Sequence, residues 1–329
     1  MDLNLTMSCL ASDRTYPLYD GHVKPKGIDL NVVLMRDDDP YWSWRKQRNV
    51  LFDISEMSIS NYFIQLDRGN DDVVALPVFL SRGFRHSNIF VNTASGIETA
   101  KDLIGKKVGL SFYDPTTPVW IRGFLQHQYG VAPTDLKWYI YEMSLKGIDL
   151  PLPEHLDVQF VPRSKSFELM LLEGELDVML NAGVPPKSYE NGDPRIRPLF
   201  ADFHEEELKY YEKFRLFPII HTVVVKRSVI NEFPWAAQSL YDAFCLAKQQ
   251  NSLTTMALDG HLKYSLPFLH AQVEETILVF GTDDPWPYGI EKNRREIDAL
   301  LDYSFEQKLI QSPLRAEDAF ISNINEKLT

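Results

Sequence analysis

The sequence predicts an α/β protein of two lobes, with a ligand cleft between them and a first lobe built from both ends of the chain. Short β-rich runs alternate with stretches of helical spacing, which argues for a mostly parallel sheet. Two such cycles follow one another, the second starting at Thr99. The apolar runs Asn88–Asn92 and His221–Lys226 stand where the chain could cross between lobes. The expected division is 1–90 plus 222–329 for lobe I, with a helical C-terminal part, and 91–221 for lobe II.

Each element has its own reason. Alternation in LNLTMSC, Leu3–Cys9, predicts a first strand, closed by the polar turn Ser12–Asp13–Arg14. Gly27 introduces a second apolar run, Ile28–Met35. A helix is expected around Tyr41–Gln47, a strand at Val50–Ser55 and a helix over Ser58–Asp67. VVALP, Val73–Pro77, is the next strand. In the second cycle, AKDLIGKKVGL (Ala100–Leu110) reads as a short helix, a Gly turn and a strand, and Thr116–Gln128 has helical spacing. Lys137–Tyr141 and Asp157–Val161 read as strands, and Phe167–Glu175 as a helix running into the buried strand Leu176–Leu180. After the Pro-rich polar stretch Pro185–Pro198 and an acidic helix at Glu205–Lys213, His221 opens the clear strand HTVVVK. From Pro234 the chain is mainly helical, with Pro at a helix start where its missing N–H costs little. No internal repeat or low-complexity segment interrupts this order.

Composition narrows the function. With 329 residues and 44% hydrophobic content there is ample material for a large core. Lys and Arg number 34 against 46 Asp and Glu, a net charge of −12, which disfavours nucleic acid and anionic membrane as partners. An anionic ligand would need a local cluster of Arg or His. No apolar run reaches the ~18 residues of a membrane span. The start, MDLNLTMSCL, lacks the basic, apolar and small-residue order of a secretory signal, so the expected location is the cytoplasm. Cys9 and Cys245 are expected to be buried, reduced thiols.

The familiar phosphate-loop, dinucleotide, α/β-hydrolase and zinc-hydrolase motifs are absent. His204 before Glu205–Glu207 reads as a solvated helix start rather than a metal site. One cluster stands out: LSRGFRHS, Leu80–Ser87, with two arginines and a histidine within five residues. Arg82 and Arg85 could hold a dianionic substrate, since guanidinium matches a carboxylate bidentately, and His86 could move a proton near neutral pH. The alternative is a solvated loop paired to nearby acids. In YDPTTPVWIR, Thr116 and Thr117 sit at a helix N-terminus that favours an anion, with Arg122 one to two turns inside; plain helix capping by Asp114 or Thr is the competing reading. His221 follows a Pro-containing turn, Glu56 and Ser58 sit at a strand end, and Trp286–Tyr288 forms an aromatic corner that core packing would also explain. Trp120 and Asn181 complete the candidate substrate contacts.

Taken together, DGHVKPKGIDLN (20–31), FDISEMSISNYFIQLDRG (52–69), LPVFLSRGFRHSNIFVN (76–92), VWIRGFLQHQYGV (119–131) and WPYGIEKNRREIDALLDYSFEQ (286–307) are similar to the 4,5-dihydroxyphthalate decarboxylase family, over nearly the whole chain. SRGFRHS and WPYG with Asn293–Arg294 carry the specificity. DLIGKKVG (102–109) is shared with many binding-protein-like chains. The resemblance implies a type 2 periplasmic-binding-protein-like fold. It also implies non-oxidative decarboxylation of a hydroxylated aromatic dicarboxylate, 4,5-dihydroxyphthalate to protocatechuate or a close analogue. Arg82 and Arg85 would clamp carboxylates, and His86 or His221 would donate the proton with Glu56 tuning or relaying. No cofactor is expected, a divalent metal is left open, and the partner is a small aromatic acid. The C-terminal third could pack internally or against a second copy of the chain. Ser111–Pro118 and Tyr141–His155 depart from the family pattern, which bears on the precise substrate. Two alternatives share the scaffold: a non-catalytic solute-binding protein for an aromatic or other organic acid, and an enzyme of precursor biosynthesis.

Overall fold

The computed structural model describes residues 2–35, 52–141, 152–181, 183–250, 252, 265–322 and 324–326. The helix expected at Tyr41–Gln47, the start of Val50–Ser55 and residues 142–151 of the Tyr141–His155 stretch lie outside the described residues.

Residues divide into two compact units. Unit 1 comprises Met1–Arg82, Ile219–Ile297 and Leu314–Thr329; unit 2 comprises Gly83–Pro218 and Asp298–Pro313. The first unit is thus discontinuous. Its boundaries fall at 82/83 and 218/219, where the sequence suggested 90/91 and 221/222, and residues 298–313 are assigned to the second unit.

Unit 1 holds a sheet of order β2-β1-β3-β11-β4. Strand β1 (Leu3–Leu10) runs parallel to β2 (Ile28–Met35) and to β3 (Ile54–Ser58). Strand β11 (Ile219–Lys226) enters antiparallel between β3 and β4 (Val73–Arg82). Buried strands read as continuous apolar runs; VVALPVFL in β4 is such a run, every residue of it buried. The C-terminal ends of β1, β3 and β4 therefore share one sheet edge with the N-terminal end of β11. In register, His221 faces Ser58 on one side and Ser81 on the other.

Two expectations are corrected at this edge. Strand β4 runs to Arg82 rather than stopping at Pro77, so Ser81 and Arg82 are strand residues, paired with β11 through Ile219↔Arg82. His221 does not open its strand: Ile219 does, with irregular register on both sides of the histidine. Periodicity alone misses both because two apolar partner strands pull the ladder outward past the polar residues.

Unit 2 holds a second sheet of order β10-β5-β9-β6-β7-β8. Its strands are β5 (Ile89–Asn92), β6 (Lys107–Leu110), β7 (Lys137–Tyr141), β8 (Asp157–Val161), β9 (Val178–Leu180) and β10 (Ile196–Pro198). Here β6 pairs in parallel with β7 and β9, and β7 with β8, whereas β5 is antiparallel to β9 and β10. Strand β10 lies inside the stretch read as merely polar; three residues are too short to show a period. Cys9 and Cys245 are both buried and free, as expected. No helix among the described residues is long and apolar enough to cross a membrane.

Candidate active site

Glu56 and His221 meet on the sheet edge of unit 1. The Glu56 side chain is 3% exposed, with Oε1 2.8 Å from His221 Nδ1. Its other oxygen, Oε2, accepts the backbone N–H of Leu10 at 2.8 Å. The carboxylate is thereby held at both oxygens, and a carboxylate on Nδ1 sets the tautomer and orientation of an imidazole. The His221 side chain is 22% exposed, so the ring is partly open to solvent while its Nδ1 is held by the carboxylate. This is the arrangement of a positioned acid–base group.

The loop after β1 lies on the same edge. Buried Thr15 organises it: its hydroxyl accepts the Ser12 N–H at 2.9 Å and lies 2.9 Å from Leu10 O. Next to it, Arg14 donates to Leu80 O at 3.1 Å and stacks 4.1 Å over the Trp286 ring. Trp286 donates from Nε1 to Phe79 O at 2.6 Å. Sequence reasoning passed over Arg14; the turn Ser12–Asp13–Arg14 carried no signal beyond its polarity. Ser58 is buried at the start of the helix Ile59–Asp67, its hydroxyl 3.4 Å from that of Ser60.

The SRGFRHS cluster is not brought together as one cationic spot. Arg82 donates from Nη1 to Asn293 Oδ1 at 2.8 Å and pairs with Glu296 at 3.2 Å. Asn293 in turn donates to Pro287 O and Gly289 O, so this contact fastens the WPYG turn to the end of β4. Asn293 and Glu296 are 211 and 214 residues away from Arg82, and the only sequence hint was the joint presence of both motifs. His86 belongs to unit 2, fully enclosed there: its ring stacks on Phe124 at 4.2 Å and meets Tyr210 and Phe200 at 5.4 and 5.6 Å. Nε2 lies 3.5 Å from Gln128 Oε1, and Nδ1 is buried without a hydrogen-bond partner. Burial pulls its pKa down to about 4, so the ring is neutral at pH 7. Nearby Glu207 is pushed up to about 7, first by burial, while the backbone N–H groups of His86 and Ser87 oppose the rise. The Glu205–Glu207 run is therefore not uniformly a solvated helix start.

The remaining candidates of unit 2 sit apart from those residues in role. Thr116 and Thr117 are buried in the first turn of the helix Thr116–Tyr129, whose cap position is Pro115. Arg122, on that helix, donates to Gln307 Oε1 and Tyr113 O, both at 2.7 Å, and stacks over Tyr113 at 3.6 Å. Trp120 is fully buried against Tyr303. Asn181 binds back to Val184 O and to the Gly183 N–H, closing its own loop. Among the described residues no group of three or more His, Cys, Asp or Glu is arranged to hold a metal.

Comparison with known proteins sets these residues in a family. No family model matches the chain. It is 32% identical over 322 residues to the 4,5-dihydroxyphthalate decarboxylase of Comamonas testosteroni, covering 97% of this chain and 96% of that protein. The chain belongs to the 4,5-dihydroxyphthalate decarboxylase family. A second protein of that name, from Pseudomonas putida, is 34% identical over 204 residues, covering 61% of this chain and 78% of its own length. Among solved structures, the fold of this chain is matched by the aliphatic sulphonate binding protein SsuA of Escherichia coli, with a TM-score of 0.54 at 13% identity. That match covers 99% of this chain and 94% of SsuA. The desulfurization enzyme DSZB matches with a TM-score of 0.50 at 15% identity, covering 97% and 96%. At such identities the likeness is one of fold: a type 2 periplasmic-binding-protein-like architecture that serves binding proteins and enzymes alike.

Proposed function

We propose that this chain is a carboxy-lyase that removes one carboxylate, as CO2, from a hydroxylated phthalate: 4,5-dihydroxyphthalate or a close analogue. The observation that carries the reading is the Glu56–His221 pair, in a chain whose relatives bear the decarboxylase name. His221 is assigned as proton donor, with Glu56 positioning it. His86 is not assigned that role, because an enclosed imidazole that is neutral at pH 7 is too weak an acid to protonate a ring carbon.

The chemistry follows from the substrate. A ring hydroxyl para to one carboxyl-bearing carbon pushes electron density onto that carbon. His221 adds a proton there, forming the C–H bond and leaving a ring that has lost aromaticity. The carbon–carboxylate bond then breaks, its electron pair returns to the ring, CO2 departs and aromaticity is restored. Solvent returns the proton to His221. One proton is consumed and no electron is exchanged with any acceptor, so this scheme calls for no organic cofactor, and activity in the presence of a chelator is the expected outcome.

Arg82 is assigned a supporting part, since Asn293 and Glu296 occupy its fork. Ser58, beside His221 in register, and the Trp286 ring are assigned as substrate contacts of unit 1. The test is an anaerobic, chelator-treated incubation with 4,5-dihydroxyphthalate, following CO2 and the monocarboxylate. Turnover in the wild type, falling about 10²–10⁴-fold in His221→Asn, is expected. Saturable binding without CO2 release would replace the enzyme with a solute-binding protein, the less supported reading; full turnover by His221→Asn would remove the assigned donor.

A further inference from the structure

The strand segment HTVVVK carries a threonine where its apolar run would accept one more valine of the same shape. Thr222 is fully buried, on the opposite face of β11 from the partly open His221. A hydroxyl in the core needs an acceptor. This one reaches two carbonyls of the neighbouring strand: its oxygen lies 2.9 Å from Leu76 O and 3.2 Å from Val78 O, so a single O–H is shared between them.

Register shows what that hydroxyl spans. Toward β3 the ladder is regular, with His221 facing Ser58 and Thr222 facing Met57. Toward β4 it breaks: His221 faces Ser81 and Val223 faces Leu76, so Thr222 alone stands against Pro77–Leu80. Strand β4 therefore carries an arc of extra residues here. Pro77 has no N–H to give the ladder, and β4, an edge strand of its sheet, tolerates it. Other carbonyls of the arc are taken from outside the β11 ladder: Pro77 O by the Gly289 N–H at 2.8 Å, Phe79 O by Trp286 Nε1 at 2.6 Å and Leu80 O by Arg14 at 3.1 Å. The arc thus joins the aromatic corner and the loop after β1 to the strand residue that faces His221. Thr222 closes it on the side of β11. Bulges of this kind re-aim side chains and raise the local twist of a strand beside a functional site.

We propose that Thr222 is a positioning residue for His221: by pinning Leu76 and Val78 it holds the arc of β4, and the held arc fixes the strand geometry that directs the imidazole onto Glu56. Its hydroxyl acts through the backbone and touches none of the reacting atoms. That His221 gives up the proton rests on the reading under Proposed function; that Thr222 sets the direction of its ring does not. Valine would fill the same volume and suit the strand equally well, and would leave the arc without this donor.

Thr222→Val removes the hydroxyl and keeps the shape, whereas Thr222→Ser keeps the hydroxyl. Steady-state kinetics with 4,5-dihydroxyphthalate are paired with imidazole 15N–1H spectra of histidine-labelled protein, the His221 signals being assigned by their loss in His221→Asn. In Thr222→Val, kcat is expected to fall about 10–100-fold with KM within about twofold, as for a catalytic group displaced by about 1 Å or less. The signal of the His221 Nδ1 proton, which Glu56 holds in wild type, should shift or broaden in the same variant. Both readouts should largely return in Thr222→Ser. Unchanged kcat or an unmoved His221 signal in Thr222→Val overturns the proposal; a lower urea midpoint alone makes Thr222 a plain strut. A loss of kcat in Thr222→Ser as deep as in Thr222→Val also overturns it, since the hydroxyl would then not be what matters. Should Thr222→Val not fold, Thr222→Ala takes its place, differing from Thr222→Ser by a single oxygen. Wild type that releases no CO2 fells the decarboxylase and leaves the spectra to judge Thr222: a signal displaced without the hydroxyl and restored by serine keeps the positioning, and an unmoved one removes it.

Discussion

Glu56 is clamped between the His221 ring and the Leu10 N–H, and each contact does something different. The backbone contact fixes the carboxylate, and the carboxylate fixes the imidazole. Glu56→Gln keeps the shape and the Leu10 contact but loses the charge opposite Nδ1. We expect kcat to fall about 10–10⁴-fold with KM little changed, read in steady-state kinetics, since orienting a catalytic histidine acts on the chemical step. His86 offers a pH-dependent prediction of another kind. Its folded pKa of about 4 lies below the ordinary 6.5, so the unfolded chain takes up a proton first as pH falls. Its contribution is complete above pH 6.5 and is lost between 6.5 and 4, amounting to about 3 kcal/mol. Glu207 works in the opposite sense: raised to about 7, it penalises folding as pH rises from 4.5 to 7. The two must be separated. His86→Phe should lose its stability disadvantage, or gain an advantage, relative to wild type on going from pH 7 to pH 4.5; equal shifts in both proteins, by urea denaturation, would contradict this.

Elements are held in place by a few side chains that periodicity cannot reveal. Replacing Arg82 with Leu would leave Glu296 and Asn293 facing an apolar group. The expected loss is about 3–5 kcal/mol, the range for removing one partner of a buried pair; a change within 0.5 kcal/mol in chemical denaturation would show that the contact braces nothing. The helix Thr116–Tyr129 poses a sharper choice at Gly123. Alanine there should gain about 1 kcal/mol of helix propensity. Against that, a Cβ would stand 2.2 Å from the Tyr303 ring, an overlap the buried tyrosine cannot escape freely. Overpacking of this kind costs about 1–3 kcal/mol, so Gly123→Ala should destabilise, and Tyr303→Leu in the same chain should recover part of the loss. The order of strands and helices was legible throughout, because apolar runs bounded by Gly, Pro and polar turns announce themselves. The length of β4 and the presence of β10 were not: the first is set by its partner β11, and the second is shorter than one period of any pattern.

Across the whole molecule, two units each carry a sheet of their own, and a ligand that binds the folded chain must stabilise it. Phthalate at about 100 times its Kd should add about 2.7 kcal/mol. In wild type this appears as a rise of a few degrees in melting temperature. A melting temperature that phthalate leaves unmoved at saturating concentration would speak against a ligand of this class. The sequence by itself determined the α/β class and the family, because these rest on hydrophobic period and on motifs spread along the chain. It also brought forward most of the candidate polar residues, since Arg, His and Glu in apolar surroundings are conspicuous. Only the tertiary structure decided how they divide. Glu56 and His221 lie 165 residues apart and become partners through strand register. Arg82 and His86 lie four apart yet have unlike surroundings, because the Asn293 and Glu296 that hold the one and the Phe124 and Tyr210 that enclose the other come from distant segments. Local pattern reports what a residue can do; the neighbours that folding supplies decide which of its donors and protons remain to be used.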